Sequence, residues 1–304
     1  MSDNLRRYIA EGAGTFGVVF AGCGAASLAG NRIGDTGVAL AFGLALTAMT
    51  TALGPLSGGH FNPAVTLALA SIRRVEWRRV PAYVGAQLAG AALAASLLFP
   101  LAASAGADPS LAAKTLANGY NALSPRGFGL AAAAVVETVL TALFVLVFLT
   151  VAEPSQERVS VEAARAQRST HFTAAAVIGV GYGLIHLVGL PVTRMGANPA
   201  RSFGPSLYAG LDALVELPLF FIAPIAGAVL AAQLYRVLWR PRPREDIAGV
   251  SAPPSMPAPE SSLEPARRFS LSTEPPDLDD DADETSGPRT LRSPRPPNVS
   301  LTPF

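Results

Sequence analysis

The sequence predicts an all-α membrane protein with six transmembrane helices and two re-entrant half-helices, arranged as an inverted repeat. Three observations predict this fold: long apolar runs, a segment that recurs 137 positions later, and the tripeptide Asn-Pro-Ala, which occurs twice. Of the 304 residues, 50% are hydrophobic and only 15% are charged. Because soluble domains carry about 25% charged residues, this composition indicates a bilayer as the main solvent.

Six mostly apolar runs are long enough to cross the hydrocarbon core, which takes about 20 helical residues. They cover approximately residues 8–29, 36–56, 80–103, 128–152, 172–192 and 214–238. Gly, Ala, Ser and Thr are frequent within them, which is typical of membrane bundles whose helix backbones approach closely. The first run has no signal-peptide pattern, so we expect it to be retained as a helix.

Arginine is concentrated at both termini and on alternate connections between the runs. The arginine-rich positions are Arg6, Arg7, Arg73, Arg74, Arg78, Arg79, Arg158, Arg165, Arg168, Arg236, Arg240, Arg242 and Arg244. The remaining connections hold few basic residues. By the positive-inside rule, this distribution predicts that both termini are cytoplasmic.

The chain repeats itself. PAYVGAQLAGAALAA at Pro81–Ala95 is similar to PLFFIAPIAGAVLAA at Pro218–Ala232, and FGL at residues 42–44 is similar to YGL at residues 182–184. Each half therefore has three spans, with one Asn-Pro-Ala box between the second and the third. An odd number of crossings in each half gives the halves opposite orientations. This arrangement predicts a functional site at the repeat interface, near the bilayer midplane.

Each box begins an apolar stretch that is too short to span the membrane. Residues 62–71 make only about 15 Å of helix. Glycines precede the boxes at Gly58, Gly59 and Gly196. Because irregular backbone at membrane depth is tolerated only where it is buried in protein or lines a wet cavity, we expect two half-helices that meet at the centre.

An Asn-Pro pair suits the start of a helix, since Asn is a favoured N-cap and Pro is favoured at the first helical position. The cap uses the side-chain oxygen, so we expect the NH₂ groups of both asparagines to be free and to face a lumen. The facing helix N-termini carry about half a positive charge each, which repels cations. A water molecule that accepts from both asparagines cannot relay protons. The two boxes comprise Asn62, Pro63, Ala64, Asn198, Pro199 and Ala200.

With the flanks SGGHFNPAVT and NPARSFGP and the internal repeat, the chain resembles the aquaporin family, the major intrinsic proteins, over about residues 5–240. GLIHL at residues 183–187 and NGYNALSP at residues 118–125 are similar to the bacterial aquaporin Z branch. The resemblance implies a passive water channel that excludes protons and ions, and a homotetramer in a bacterial inner membrane. Conduction of small neutral solutes, such as glycerol, hydrogen peroxide or ammonia, is the alternative.

The resemblance also places Arg201, which follows the second box, in a narrow outer selectivity filter. By motif position Phe42, His186 and Met195 join it there. Two orientations stay open for the Met195 side chain: into the lumen, or packed on neighbouring loop residues. Glycerol facilitators of the family usually carry Asp directly after this arginine, whereas this chain has Ser202, which favours water.

Glu11 and Glu137 begin the same E-x-x-x-T pattern in the two halves and lie within apolar runs. An acid at membrane depth needs a partner, so we expect each to accept hydrogen bonds from the re-entrant loop of its own half. A proton relay in a coupled transporter is the alternative. We expect Gly58, Gly59 and His60 to present backbone carbonyls to the lumen, unless the glycines serve only turn geometry.

The composition and spacing also limit the other functions to be considered. The three histidines lack metal-ligand spacing and the chain has one cysteine, so we predict no metal, no cofactor and no enzyme activity. The net charge of +1 gives no reason to expect a nucleic-acid partner. We therefore divide the chain into a channel domain over residues 1–240, with repeats over about 5–105 and 128–240, and a cytoplasmic tail over residues 241–304. The Pro-, Ser- and Asp-rich composition of the tail predicts disorder.

Overall fold

The structure, a computed structural model, describes residues 2–104, 114–152 and 161–239. The predicted tail at 241–304 lies outside the described residues. The described part contains α-helices joined by short turns, and its elements are, in chain order, α1 (Asp3–Gly24), α2 (Gly30–Ser57), α3 (Pro63–Ser71), α4 (Val80–Ser104), α5 (Leu130–Val151), α6 (Val161–Thr193), α7 (Pro199–Ser206), α8 (Leu211–Glu216) and α9 (Leu219–Leu238).

The first two spans are joined without an irregular loop. A π-helical turn at Ala25–Ala29 connects α1 to α2, and the apolar helical stretch Asp3–Ser57 is 55 residues long. At 1.5 Å per residue this is about 80 Å, more than twice the thickness of the hydrocarbon core, so it must cross twice. The chain turns at Gly34, whose φ of 61° and ψ of −176° belong to a region that glycine adopts readily.

Four further helical stretches are long and apolar enough to span a bilayer: Trp77–Ser104, Leu130–Val151, Ser169–Thr193 and Leu211–Leu238. Together with the folded-back first pair they give six crossings. The predicted six spans and two half-helices are therefore confirmed, and the protein is a multi-pass membrane protein.

Two helix boundaries differ from the sequence expectation. α6 begins at Val161, about eleven residues before the predicted apolar run, because the intervening sequence is rich in the helix formers Glu, Ala, Arg and Gln. The last apolar run is divided into α8 and α9 at Pro218. Since Pro218 has no backbone N–H, it cannot continue the hydrogen-bond ladder of α8.

The two half-helices exchange partners between the repeats. α3, from the first half, packs against α9 of the second half, and α7, from the second half, packs against α4 of the first half. The long helices α2 and α6 pack along each other across the same interface. Neither half therefore completes the packing of its own half-helix.

Glycine allows the first and third spans of each half to touch through their backbones. A β-carbon on Gly90 of α4 would lie 2.1 Å from the carbonyl oxygen of Gly12 on α1. In the second half, a β-carbon on Gly227 of α9 would lie 2.1 Å from the carbonyl oxygen of Thr138 on α5. The same contact thus occurs in both repeats, as the PAYVGAQLAGAALAA repeat predicts.

We expect Gly90→Ala and Gly227→Ala each to destabilise the fold by about 1–3 kcal/mol, because the added methyl groups force apart helices that already touch. Thermal unfolding of the detergent-solubilised protein, followed by size-exclusion chromatography, measures the effect. Gly85→Ala on α4 is the matched control, since a β-carbon there meets nothing within 4 Å. Equal midpoints for the three variants would contradict this account of the packing.

Candidate functional site

The two asparagine boxes begin the half-helices. Asn62 caps α3, and its side-chain oxygen accepts a hydrogen bond of 2.8 Å from the backbone N–H of Ala64. In the second box, the Asn198 side-chain oxygen accepts one of 3.0 Å from the N–H of Ala200. The proline of each box occupies the first helical turn, where its missing N–H removes no hydrogen bond.

The two boxes are joined to each other by reciprocal hydrogen bonds. The Asn62 side-chain NH₂ donates to the carbonyl oxygen of Ala197 at 2.9 Å, and the Asn198 NH₂ donates to the carbonyl oxygen of Phe61 at 2.8 Å. The expectation that both NH₂ groups are wholly free is therefore wrong for one hydrogen of each. The cross-links fix the direction in which the second hydrogen points, and they tie the two halves together at the centre.

A buried carboxylate holds the loop before the first box. Glu11 accepts hydrogen bonds from the backbone N–H groups of His60 at 3.0 Å and Phe61 at 2.7 Å. The Ser57 hydroxyl at 2.6 Å and the Gln87 amide at 2.7 Å also donate to it. Hydrogen bonds from these four donors to its two oxygens offset the free-energy cost of burying the Glu11 carboxylate in the spanning region.

Glu137 holds the second loop in the corresponding way. It accepts from the backbone N–H groups of Gly196 at 2.7 Å and Ala197 at 2.8 Å, and from the Thr193 hydroxyl at 2.6 Å. These three donors lie 136 positions after the equivalent donors of the first loop. The fourth donor has no equivalent, because Pro224 stands 137 positions after Gln87.

Both loops contain left-handed backbone at the same three places. Positive φ angles occur at Gly58 (99°), Gly59 (64°) and Phe61 (46°), and 136 positions later at Arg194 (60°), Met195 (43°) and Ala197 (50°). Such angles are costly for residues other than glycine and persist only where the surroundings hold them. The carboxylates supply that support.

The carbonyl groups of Gly58, Gly59 and His60 accept no hydrogen bond from the residues that the structure describes. Their exposure to a lumen stays a prediction. The His60 side chain has a supporting role instead, since its Nδ1 pairs with the Thr66 hydroxyl at 3.1 Å and its ring packs on Tyr83.

Phe42, His186 and Arg201 come together from three different elements. The Phe42 ring of α2 stacks on the His186 ring of α6, with 4.2 Å between their centroids. The Arg201 guanidinium, from α7, lies 5.3 Å from the centroid of Phe42. All three side chains are at least 99% buried. We call this group the aromatic–arginine cluster.

Arg201 is held by neutral oxygens. Its Nη1 donates to the carbonyl oxygen of Leu116 at 3.0 Å and to the side-chain oxygen of Asn118 at 2.8 Å, and its Nη2 donates to the carbonyl oxygen of Arg194 at 3.2 Å. Its Nε has no partner among the described residues, and no described carboxylate forms an ion pair with it. The cluster therefore carries a positive charge and one N–H donor, at Nε of Arg201, that no described residue uses.

His186 adds a hydrogen-bond acceptor to the same cluster. Its Nδ1 lies 2.8 Å from the Tyr182 carbonyl oxygen. Because a carbonyl only accepts, Nδ1 carries the proton, and Nε2 of the neutral ring is an acceptor. That Nε2 has no partner among the described residues. The cluster thus offers one unused donor, Nε of Arg201, and one unused acceptor, Nε2 of His186.

The Met195 side chain packs against helix α6. Its sulfur lies only 2.1 Å from the place that a β-carbon on Gly189 would occupy, and the side chain is wholly buried. This contact favours the packed orientation over the lumenal one. The partner is a glycine of α6 rather than a loop residue, and the missing side chain of Gly189 supplies the space.

Sequence reasoning did not single out Asn118 or Tyr182 as site residues. Asn118 lies in the NGYNALSP segment and Tyr182 in the YGL repeat. These two patterns indicated the family and the internal repeat, not a site. Their contacts with Arg201 and His186 depend on how distant segments meet, which spacing alone does not reveal.

Comparison with known proteins decides the family. The sequence model of the major intrinsic proteins matches residues 1–235. The chain is a major intrinsic protein. It is 42% identical over 258 residues to aquaporin Z of Rhodopseudomonas palustris, an alignment that covers 82% of this chain and 99% of that protein. It is 41% identical over 238 residues to aquaporin Z of Brucella melitensis, covering 77% and 98%.

A solved structure supports the same fold. The X-ray structure of the aquaglyceroporin from Plasmodium falciparum aligns with a TM-score of 0.64 at 26% sequence identity, covering 77% of this chain and 96% of that one.

We expect Glu137→Gln to lower the free energy of unfolding by about 1.5–3 kcal/mol, because a charged acceptor of three hydrogen bonds is replaced by an amide whose NH₂ faces other donors. Thermal unfolding in detergent measures the change. Glu76→Gln is the control, since Glu76 is exposed and, among the described residues, forms ion pairs with Arg78 and Arg79. An unchanged midpoint for Glu137→Gln would show that the carboxylate does not support the loop.

We expect Gly189→Ala to destabilise the protein by about 1–3 kcal/mol through overpacking and to displace the Met195 side chain. The double variant Gly189→Ala/Met195→Ala should regain the lost stability, because the smaller side chain vacates the contested space. Unfolding midpoints of both single variants and the double variant give the coupling. Additive effects would show that the two residues do not compete for this space.

Proposed function

We propose that the protein is a passive water channel whose filter is the aromatic–arginine cluster. The observation that carries the proposal is the pair of unpartnered, buried polar atoms in that cluster, Nε of Arg201 and Nε2 of His186. Buried polar groups are normally satisfied by protein or by water. A donor and an acceptor side by side suit a water molecule that has lost its other neighbours. The two relatives named aquaporin Z support the same function.

Exclusion of ions follows from the charges at the site. Arg201 has no described carboxylate near enough for an ion pair, so its charge repels cations. The N-termini of α3 and α7 meet at the centre and add two partial positive charges. We propose that a passing water accepts from the remaining N–H of Asn62 and of Asn198, and that this orientation interrupts proton transfer.

Conduction of neutral solutes is the second candidate. The similarity to the solved structure of an aquaglyceroporin supports it. The cluster argues for water. Phe42 and His186 stack at 4.2 Å and narrow the site with two rings, and Ser202 follows Arg201. Because two rings at the filter restrict its width, we expect it to admit water more readily than a three-carbon polyol.

Proton-coupled transport would need carboxylates that exchange protons along the path. The oxygens of Glu11 and Glu137 are instead occupied by loop donors, four and three respectively. We therefore assign these acids to loop support. The protein has no need of a metal, a cofactor or an enzymatic step for this function.

For the whole protein we propose a homotetramer in the inner membrane of a bacterium, with both termini in the cytoplasm. The arginine distribution supports the orientation. The membrane and the assembly are what the family resemblance implies. The channel domain over residues 1–240 would be followed by a cytoplasmic tail over residues 241–304, which has no assigned partner.

Stopped-flow light scattering of proteoliposomes tests the function. We expect shrinkage in hyperosmotic sucrose to be much faster than in protein-free vesicles. In hyperosmotic glycerol, the slow re-swelling should match that of protein-free vesicles. Shrinkage no faster than in protein-free vesicles would reject the water channel, and rapid re-swelling would assign the protein to the neutral-solute alternative.

We expect Arg201→Val to raise the leak of K⁺ or protons about tenfold or more, since lowering a barrier by about 1.4 kcal/mol gives a factor of ten. A pH-sensitive dye inside proteoliposomes reports proton leak under an imposed potential. Arg201→Lys is the matched control, because it keeps the charge and should retain most of the exclusion. A Val variant as tight as the parent would show that the charge of Arg201 is not the barrier.

A further inference from the structure

A second aromatic side chain lies directly beside the filter. Tyr182 is one helical turn before His186 on α6, and its ring centroid is 4.3 Å from that of His186. It is 6.1 Å from the Phe42 centroid and 5.0 Å from that of Phe144 on α5. Only 1% of Tyr182 is exposed.

The Tyr182 hydroxyl is unusual for a buried tyrosine. It has no hydrogen-bond partner among the described residues, although buried tyrosine hydroxyls usually find one. The hydroxyl is therefore a buried polar group, beside the filter rings, that no described residue satisfies.

The position of Tyr182 on α6 puts it on the midplane side of the filter. Tyr182 lies near the middle of the spanning stretch Ser169–Thr193, and His186 lies one turn nearer the end of that stretch. The Tyr182 ring touches two members of the aromatic–arginine cluster. By the offset of 136 that relates the two loops, the position equivalent to Phe42 is Ile178, and Tyr182 lies one helical turn after it. Each half contributes one large aromatic side chain to the same passage.

We infer that Tyr182 forms an inner selectivity station, at which its ring restricts the width of the pore and its hydroxyl binds a water molecule passing between the filter and Asn198. The inference rests on the proposed function. The rings of Phe42 and Phe144, which pack on Tyr182, offer a passing water no hydrogen bond. The Tyr182 hydroxyl, buried and without a described partner, supplies one there.

The hydroxyl is tested by Tyr182→Phe, which keeps the ring. We expect the osmotic water permeability per reconstituted protein to fall about two- to tenfold, as the net loss of one hydrogen bond implies. Tyr208→Phe is the matched control and should conduct like the parent, because the Tyr208 hydroxyl pairs with the Ser96 hydroxyl and is not part of the cluster. A Tyr182→Phe variant that conducts as fast as the parent, or faster, overturns the role of the hydroxyl.

The ring is tested by glycerol flux in variants with an enlarged outer filter. We expect His186→Ala to admit less glycerol than His186→Ala/Tyr182→Leu, because the Tyr182 ring still restricts the passage in the single variant. His186→Ala/Tyr182→Leu should admit glycerol. If the single variant admits glycerol as fast as the double variant, or if neither admits it, the inner station is refuted.

Two readouts separate this inference from the proposed function. A parent protein that conducts no water rejects the channel itself, whatever the variants do. A conducting parent with unaffected Tyr182 variants rejects only the inner station. Size-exclusion profiles and the amount of reconstituted protein show whether each variant is folded.

Discussion

The hydrogen bonds from two buried carboxylates to two loops are the interaction on which the rest of the structure depends. A loop at membrane depth has no water to satisfy its backbone, and left-handed residues add strain to it. Glu11 and Glu137 answer both needs by accepting two consecutive N–H groups each. Without these hydrogen bonds, the two loops would lose the contacts that hold the chain reversal before each half-helix. The positions of Asn62, Asn198 and Arg201 all follow from where the half-helices start.

The scaffold is symmetric, but the chemistry on it is not. The position equivalent to Arg201 in the first half, 136 residues earlier, is Val65, so a charge follows only one of the two boxes. Likewise Gln87 braces the first carboxylate, whereas Pro224 occupies the equivalent place in the second half. The internal repeat thus places the two half-helices so that they meet at the centre. Differences at single positions, such as Arg201 against Val65, restrict the filter to one side of the pore.

Hydropathy and repetition predicted most of the fold because they are periodic properties of the chain. The six crossings, the two half-helices and the inverted repeat depend on runs and offsets that can be read directly. The site was predictable only where a motif position implied a neighbour, as for Phe42 and His186. The direction of the Met195 side chain was not predictable from the sequence. It depends on the space left by Gly189, which lies six residues earlier, on α6, and has no side chain. The hydrogen bonds from Asn62 to Ala197 and from Asn198 to Phe61 were not predictable either, because no local pattern shows a contact between residues so far apart in the chain.

The exchange of half-helices has a consequence for how the protein is made. Asn62 donates to Ala197, which lies 135 residues later in the chain. At about 5–20 residues per second, a ribosome needs on the order of ten seconds to add the missing segment. Until that segment is made, the Asn62 amide lacks its partner, and α3 lacks α9 as its neighbour. The second half is therefore a folding partner for the first, and the packing of α3 is completed only late in synthesis.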